Sequence, residues 1–549
     1  MFHENLLKKL YQQKTYEGVL ILNEDGEHQY CYNFIEYFKF QEIPIIVVTG
    51  NKTEPYRNYF NNQILAIVCM SSYYYNILEQ LAKILDYMRY IRIVVIMDQW
   101  TKELNAEELE DFFHYCHKLK MLNVVIIFRD FYKTRKYVQY TIFPEFKMEF
   151  DIYNPNSSDF YMLPERLQNL KGYKLRTIAD HTEPRAMEYY NESNETVLNG
   201  YIGRFVQTIS ETLNSSLYFP LKVPPDVMLE YRDVMSYVVN YSIDIPVSSL
   251  SLYEFDDQRD FSYPFEIGKW CILLPMEKPL DYKELFLLIL HSQIMLITMV
   301  LIVIFTMFFY LALGKKRCHY CLHRWPEIII NDTAIRGVLG QGFVSSVYSK
   351  LSLKLIYIML MLSGLTISII FDCYMLSFST QLPSEPCINN YQDLEKSSLK
   401  LAIARPEITY LHNITNGSLS FLYSKLQTFS SFAEYSRFRD SLDRRFAYPT
   451  TTSKLYYYNG LESHYSKKFF RFSSNMCPNT MMQFEFPLGP NSYFIPRINE
   501  IILNTLQSGL IDYWMSKSYL DMVAAGKAIR VNITYPDYAS PIYVLEKIE

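Results

Sequence analysis

The sequence lacks the short motifs around which most hydrolytic and phosphoryl-transfer sites are built. No H-E-x-x-H, no G-x-S-x-G and no P-loop occurs in its 549 residues. Nothing in the pattern therefore supplies a zinc-bound water, an activated serine or a phosphate cradle. Isolated acids such as Asp256 and Asp257 read as solvated loop carboxylates, and no catalytic residue, metal site or cofactor is expected. A long basic block is missing as well. With a net charge of -5, that argues against a nucleic-acid partner. Nine cysteines are scattered along the chain, too thinly for a disulfide scaffold. Repeats and low-complexity tracts do not occur.

What the chain does have is two long apolar runs past its middle. The first is Leu285 to Leu313, closed by Lys315, Lys316 and Arg317; the second is Leu355 to Phe371, extended by Cys373 to Phe378. A helix of about 20 apolar residues crosses a hydrocarbon core of roughly 30 Å. The chain is therefore expected to be a multi-pass membrane protein. Basic residues cluster between the runs (Lys315, Lys316, Arg317, Arg324, Arg336, Lys350, Lys354), which puts that segment in the cytoplasm and both flanks outside. Glycosylation sequons agree with this orientation. Asn51, Asn156, Asn191, Asn194, Asn214, Asn240, Asn413, Asn416 and Asn532 lie in the outer regions, and Asn331 alone falls between the runs.

The same topology constrains the cysteines. Cys387 and Cys477 share the last outer segment and are a candidate pair; Cys318-x-x-Cys321-x-His323 resembles half a zinc site with no second half nearby. A reduced or lipid-modified juxtamembrane pair is the simpler reading of the latter. The 49 tyrosines and 36 phenylalanines suit interface belts and lined pockets, but packed cores account for most of them.

Residues 1–165 alternate apolar β runs (Val19–Leu22, Ile43–Val48, Ala66–Met70, Arg92–Met97, Asn123–Phe128) with amphipathic helical stretches. That pattern predicts an α/β layered domain with a mainly parallel sheet. Residues 166–282 and 380–549 each look like half of an α/β domain. Both face outside, so they are expected to fold together as two halves of one clamshell, interrupted by the membrane segment and enclosing a cleft. The segment 380–549 is read as helical from Arg405 through Arg445.

The expected membrane segment comprises a first helix over 283–313, a cytoplasmic stretch over 314–350 and a second helix over 351–379. The stretch between is broken by Gly337, Gly340 and Gly342. Two readings stand: a re-entrant loop, whose irregular backbone must be buried or line water, or an amphipathic linker on the membrane surface. Asp372 is open in the same way. It either faces a water-filled path or has already reached the outer interface.

Several ordered motifs carry a family likeness. Asp260–Glu266 (DFSYPFE), Leu339–Phe343 (LGQGF), Tyr374–Thr380 (YMLSFST), NNYQDLEK and LQSGLIDYW together resemble an ionotropic glutamate receptor. NLKGYKLRT, EPRAMEYY, NGYIGRFV and RGVLGQGF are similar to the divergent insect ionotropic receptors of smell and taste. The likeness runs from Leu167 to Leu545, and the N-terminal domain shares only its α/β pattern.

The resemblance implies periplasmic-binding-protein-like α/β ectodomains on an all-α transmembrane pore domain with a re-entrant loop. It also implies a chemosensory ligand-gated cation channel subunit in the plasma membrane, with its ectodomains extracellular, in a hetero-tetramer with ionotropic co-receptor subunits. Gly340 and Gln341 would stand at the pore tip, and Asp372, Tyr374, Ser377 and Thr380 near the gate. In the ligand cleft, the family's carboxylate-binding arginine falls at Phe255 or Glu254, and its ammonium-binding acid falls at Thr451. None of these can do the family's job, so the resemblance implies a small ligand other than glutamate. The family's last span and a signal peptide are not visible, so both ends are expected to be incomplete. If the last span is truly missing, the alternative is a non-conducting membrane binding or assembly-modifying subunit.

Overall fold

The computed structural model describes residues 2–23, 38, 43–50, 53–58, 61–70, 75–97, 106–154, 163, 165–190, 196–224, 227–251, 258–278, 280, 283–284, 287, 293–313, 331–343, 351–380, 383–464 and 468–528. Two compact units emerge: Met1–Leu274 with Asn390–Glu549, and Pro275–Asn389.

The first unit begins with a seven-stranded sheet. Its strands are β1 (Gly18–Asn23), β2 (Ile45–Thr49), β3 (Ile64–Met70), β4 (Arg92–Met97), β5 (Val124–Phe128), β6 (Lys136–Thr141) and β7 (Lys147–Ile152), in the order β2-β1-β3-β4-β5-β6-β7. Pairing is parallel from β2 to β5 and antiparallel through β6 and β7. The central strands β1, β3, β4 and β5 are buried at every position, as unbroken runs of β-branched and aliphatic residues covered on both faces require. The helices Tyr75–Ile84 and Ala106–Lys118 bury the apolar stripe that their spacing presents.

Short strands follow: β8 (Lys174–Arg176), β9 (Met187–Tyr190), β10 (Thr196–Asn199) and β11 (Ser216–Tyr218). One apolar core joins the N-terminal sheet to this region, running from Leu78 and Phe113 through Phe143 to Phe205, Ile502 and Trp514. Polar contacts reinforce the join: the Tyr87 hydroxyl donates to Asp260 Oδ1 at 2.6 Å, and Asn491 Oδ1 accepts from the Tyr87 backbone N–H at 2.6 Å.

A second seven-stranded sheet draws strands from both sides of the inserted unit. β12 (Leu250–Ser251) and β13 (Glu266–Pro275) precede it; β14 (Lys400–Ala404), β15 (Leu426–Phe429), β16 (Phe446–Thr451), β17 (Phe470–Phe472) and β18 (Asn479–Glu485) follow it. The order is β12-β18-β13-β16-β14-β15, with β17 also on β13. A separate aromatic core of Tyr435, Tyr448, Tyr457, Tyr458 and Phe470 lies in this part.

Two expectations are corrected here. The stretch from Arg405 to Arg445 is not continuously helical: after the helix Arg405–Ile414 the chain forms β15, which pairs in parallel with β14. Sheet pairing supplies hydrogen bonds that local propensity does not anticipate. Cys477 bonds to Cys271, and Cys387 is free and exposed. The backbone bond from Ile272 N–H to Met476 O, 2.9 Å, holds β13 beside the loop that carries Cys477. Cys318, Cys321 and His323 lie outside the described residues.

The second unit contains two helices long and apolar enough to cross a membrane, Gln293–Leu313 and Leu351–Thr380. Between them in sequence, the short helix Asp332–Val338 is capped by Asn331, whose side chain accepts from the N–H groups of Thr333 and Ala334. Ala334 and Val338 pack with Phe305 and Phe309 of the first apolar helix and Leu360 of the second. A Cβ at Gly364 would overlap the Gly337 carbonyl, so glycine at this crossing lets the two backbones meet.

Candidate functional site

The register of three adjacent strands sets a row of side chains on one sheet face. Ser251 of β12 stands opposite Phe484 of β18, and Phe484 stands opposite Glu266 of β13. Directly opposed residues share a face and touch. Over that row lies Arg185, from the loop before β9. Its guanidinium carbon sits 4.2 Å from the Phe484 ring centroid, and Nη2 is 3.9 Å from Glu266 Oε1.

Several groups hold Arg185 there. Nε donates to the Tyr201 hydroxyl at 3.1 Å, and that hydroxyl donates to Glu266 Oε2 at 2.7 Å. Nη2 donates to Thr451 Oγ1 at 3.5 Å, and Thr451 shares a 2.9 Å hydrogen bond with Ser453. The loop itself is clamped: Lys454 Nζ donates to the Glu183 carbonyl at 3.3 Å, and Lys527 pairs with the Glu183 carboxylate at 2.6 Å. Gly200, at φ 87°, lets the Arg185 carbonyl come close enough to accept from the Ile202 N–H at 3.0 Å. Any Cβ at position 200 would strike that carbonyl.

Burial decides the electrostatics. It opposes the Arg185 charge, but Tyr201 and Glu266 outweigh it, so the guanidinium pKa stands above its ordinary value. Tyr201 is pushed well above the usual phenol range, by burial first and by the Glu266 carboxylate next. Asp180 is raised by burial, although Ser248 Oγ donates to it at 2.6 Å.

Two oxygens in the row stay without a hydrogen-bond partner, Glu266 Oε1 and Ser251 Oγ. Gly268 packs closely on this face: a Cβ there would stand 3.3 Å from Thr452 Oγ1, 3.5 Å from the Phe484 ring and 3.8 Å from Glu266 Oε1. The arrangement can hold a positive group between a carboxylate and an aromatic face. Among the described residues, no group of three or more acids, histidines or cysteines could hold a metal.

The residues read from sequence fall as follows. Thr451 lies in the cluster. Glu254 and Phe255 lie outside the described residues, as do Asn156, Asn191, Asn194 and Asn532. Asn214, Asn240, Asn413 and Asn416 are exposed. Gly340 takes φ 69° with its Cα face against Ser368, and Gln341 is exposed. Asp372, Tyr374, Ser377 and Thr380 are all exposed on the second apolar helix. At 3.6 residues per turn Tyr374 and Ser377 share a face, and Asp372 is roughly opposite Tyr374. EPRAMEYY and DFSYPFE contain Arg185 and Glu266 without marking their role, because strand pairing brings Glu266 to Phe484 and the path of the loop before β9 brings Arg185 over both.

No protein-family model matches the chain, and no curated protein matches it.

Proposed function

We propose that the chain is a subunit of a ligand-gated cation channel of the chemosensory ionotropic receptor type. It would sit in the plasma membrane, bind a small non-glutamate ligand outside and work with co-receptor subunits. The observation that carries this reading is the path of β13. This strand begins at Glu266 in the Arg185 cluster and ends at Pro275, where the inserted unit with its two apolar helices begins. In this reading β13, ten residues long, is the covalent route from Glu266 to the chain that enters those helices. The short helix packed between the two apolar helices, with Gly340 at its end, supports a re-entrant loop over a surface linker.

Whole-cell recording from cells expressing the chain with ionotropic co-receptor subunits tests the proposal. A cation current evoked from a panel of small amines, acids and alcohols is expected, and it should disappear when Thr451→Trp fills the cluster. Surface expression without any evoked current would instead favour the non-conducting binding or assembly role.

A further inference from the structure

We infer that the Arg185 cluster is a binding site for a small organic cation, a guanidinium or a primary ammonium, and that Arg185 is its resident occupant. The inference rests on reading this cluster as the ligand cleft. Four observations point to the class. The side chain that fills the site is itself a guanidinium. Its surroundings are those that recognise organic cations: the Phe484 face at 4.2 Å, the Glu266 carboxylate, and the hydroxyls of Tyr201 and Thr451.

Arg185 also leaves the site incompletely used. Glu266 is 5% exposed and its Oε1 accepts no hydrogen bond, with Arg185 Nη2 at 3.9 Å, beyond bonding range. A buried carboxylate oxygen left this way is costly and awaits a donor. Ser251 Oγ, on the other side of Phe484, is also without a partner.

An anion fits none of this. Among the described residues, the cation facing the row, Arg185, is already neutralised by Glu266, and an added carboxylate would meet an acceptor with no proton to share. A neutral apolar ligand would leave Glu266 Oε1 orphaned as before. A small cation can take the free oxygen directly, displace the guanidinium from Phe484, and release the Glu183–Arg185 loop toward the lysines that clamp it.

The test uses the full chain in detergent micelles, with methylguanidine and methylamine hydrochlorides as probes and sodium chloride and sodium acetate as controls. Arg185→Ala should lower the melting temperature, and methylguanidine should restore it where the two sodium salts do not. Titration calorimetry should show methylguanidine binding to Arg185→Ala about tenfold or more tighter than to the unaltered chain, because the resident group no longer competes. Adding Glu266→Gln to that variant should abolish both effects. If Arg185→Ala does not fold, Arg185→Gln keeps the volume and serves in its place.

Rescue that survives Glu266→Gln, or stabilisation by acetate with none by either cation, would overturn the inference. Binding is read without current, so the two proposals fail separately. Cation binding with no evoked current tells against the channel; a current evoked by another ligand, with no cation binding, tells against this site.

Discussion

Gly337 and Gly364 meet backbone to backbone, the carbonyl of the first lying where a side chain of the second would begin. The contact joins the short helix Asp332–Val338 to the second apolar helix, and the two partners are not equivalent. A Cβ at Gly364 strikes the Gly337 backbone, whereas a Cβ at Gly337 strikes the buried Leu360 side chain, which can shift more readily than backbone. Gly364→Ala should therefore cost more than Gly337→Ala, with overpacking of about 1–3 kcal/mol as the scale. Melting curves of the detergent-solubilised variants would show the order, and equal losses would contradict it.

Cys271 and Cys477 close a loop of 206 residues that contains the whole inserted unit. Cys271→Ser and Cys477→Ser should each destabilise the first unit by about 2–5 kcal/mol, and the double variant should be no worse than either single one. Cys387→Ser should be silent, since that thiol is exposed and free. Peptide mapping without reductant would find the 271–477 crosslink directly.

Arg185 and Glu266 form a buried pair, so removing one partner strands the other. Arg185→Met and Glu266→Leu should each cost about 3–5 kcal/mol, and the double replacement should recover much of that loss. Urea denaturation of the four proteins completes the cycle. Additive losses would mean that the two side chains do not interact.

Glu485 lies buried at the end of β18, and burial pushes its carboxyl up from 4.5 to about 7. A folded-state pKa above the unfolded one means the folded chain holds the proton more tightly. Its stabilising contribution is complete below pH 4.5 and is lost as the pH rises through about 7. Glu485→Gln should flatten the fall in melting temperature across that window, and an unchanged slope would assign it to other groups.

The local patterns in the chain translated directly into elements. The run at Val19–Leu22 lies within β1, Ala66–Met70 within β3, and the amphipathic stretch around Leu109 became the helix Ala106–Lys118. Periodicity and apolar content are properties of neighbours in sequence, so they can be read there. The cysteine pairing and β15 could not be read the same way. Cys271 finds Cys477 only because β13 lies beside the loop that carries it, and Leu426–Phe429 becomes a strand only because β14 offers a partner.

The candidate site divides along the same line. Thr451 was singled out only by the resemblance, as the position of the family's ammonium-binding acid, and tertiary structure set Arg185 beside it, from a loop 266 residues earlier. By itself the sequence determined two apolar helices and a mainly parallel α/β domain, because each follows from residue type and spacing along one stretch. Only the tertiary structure decided that Ser251, Phe484 and Glu266 form one row under Arg185. That row depends on the register of strands more than 200 residues apart, and register is fixed by which faces are buried and which backbone groups pair.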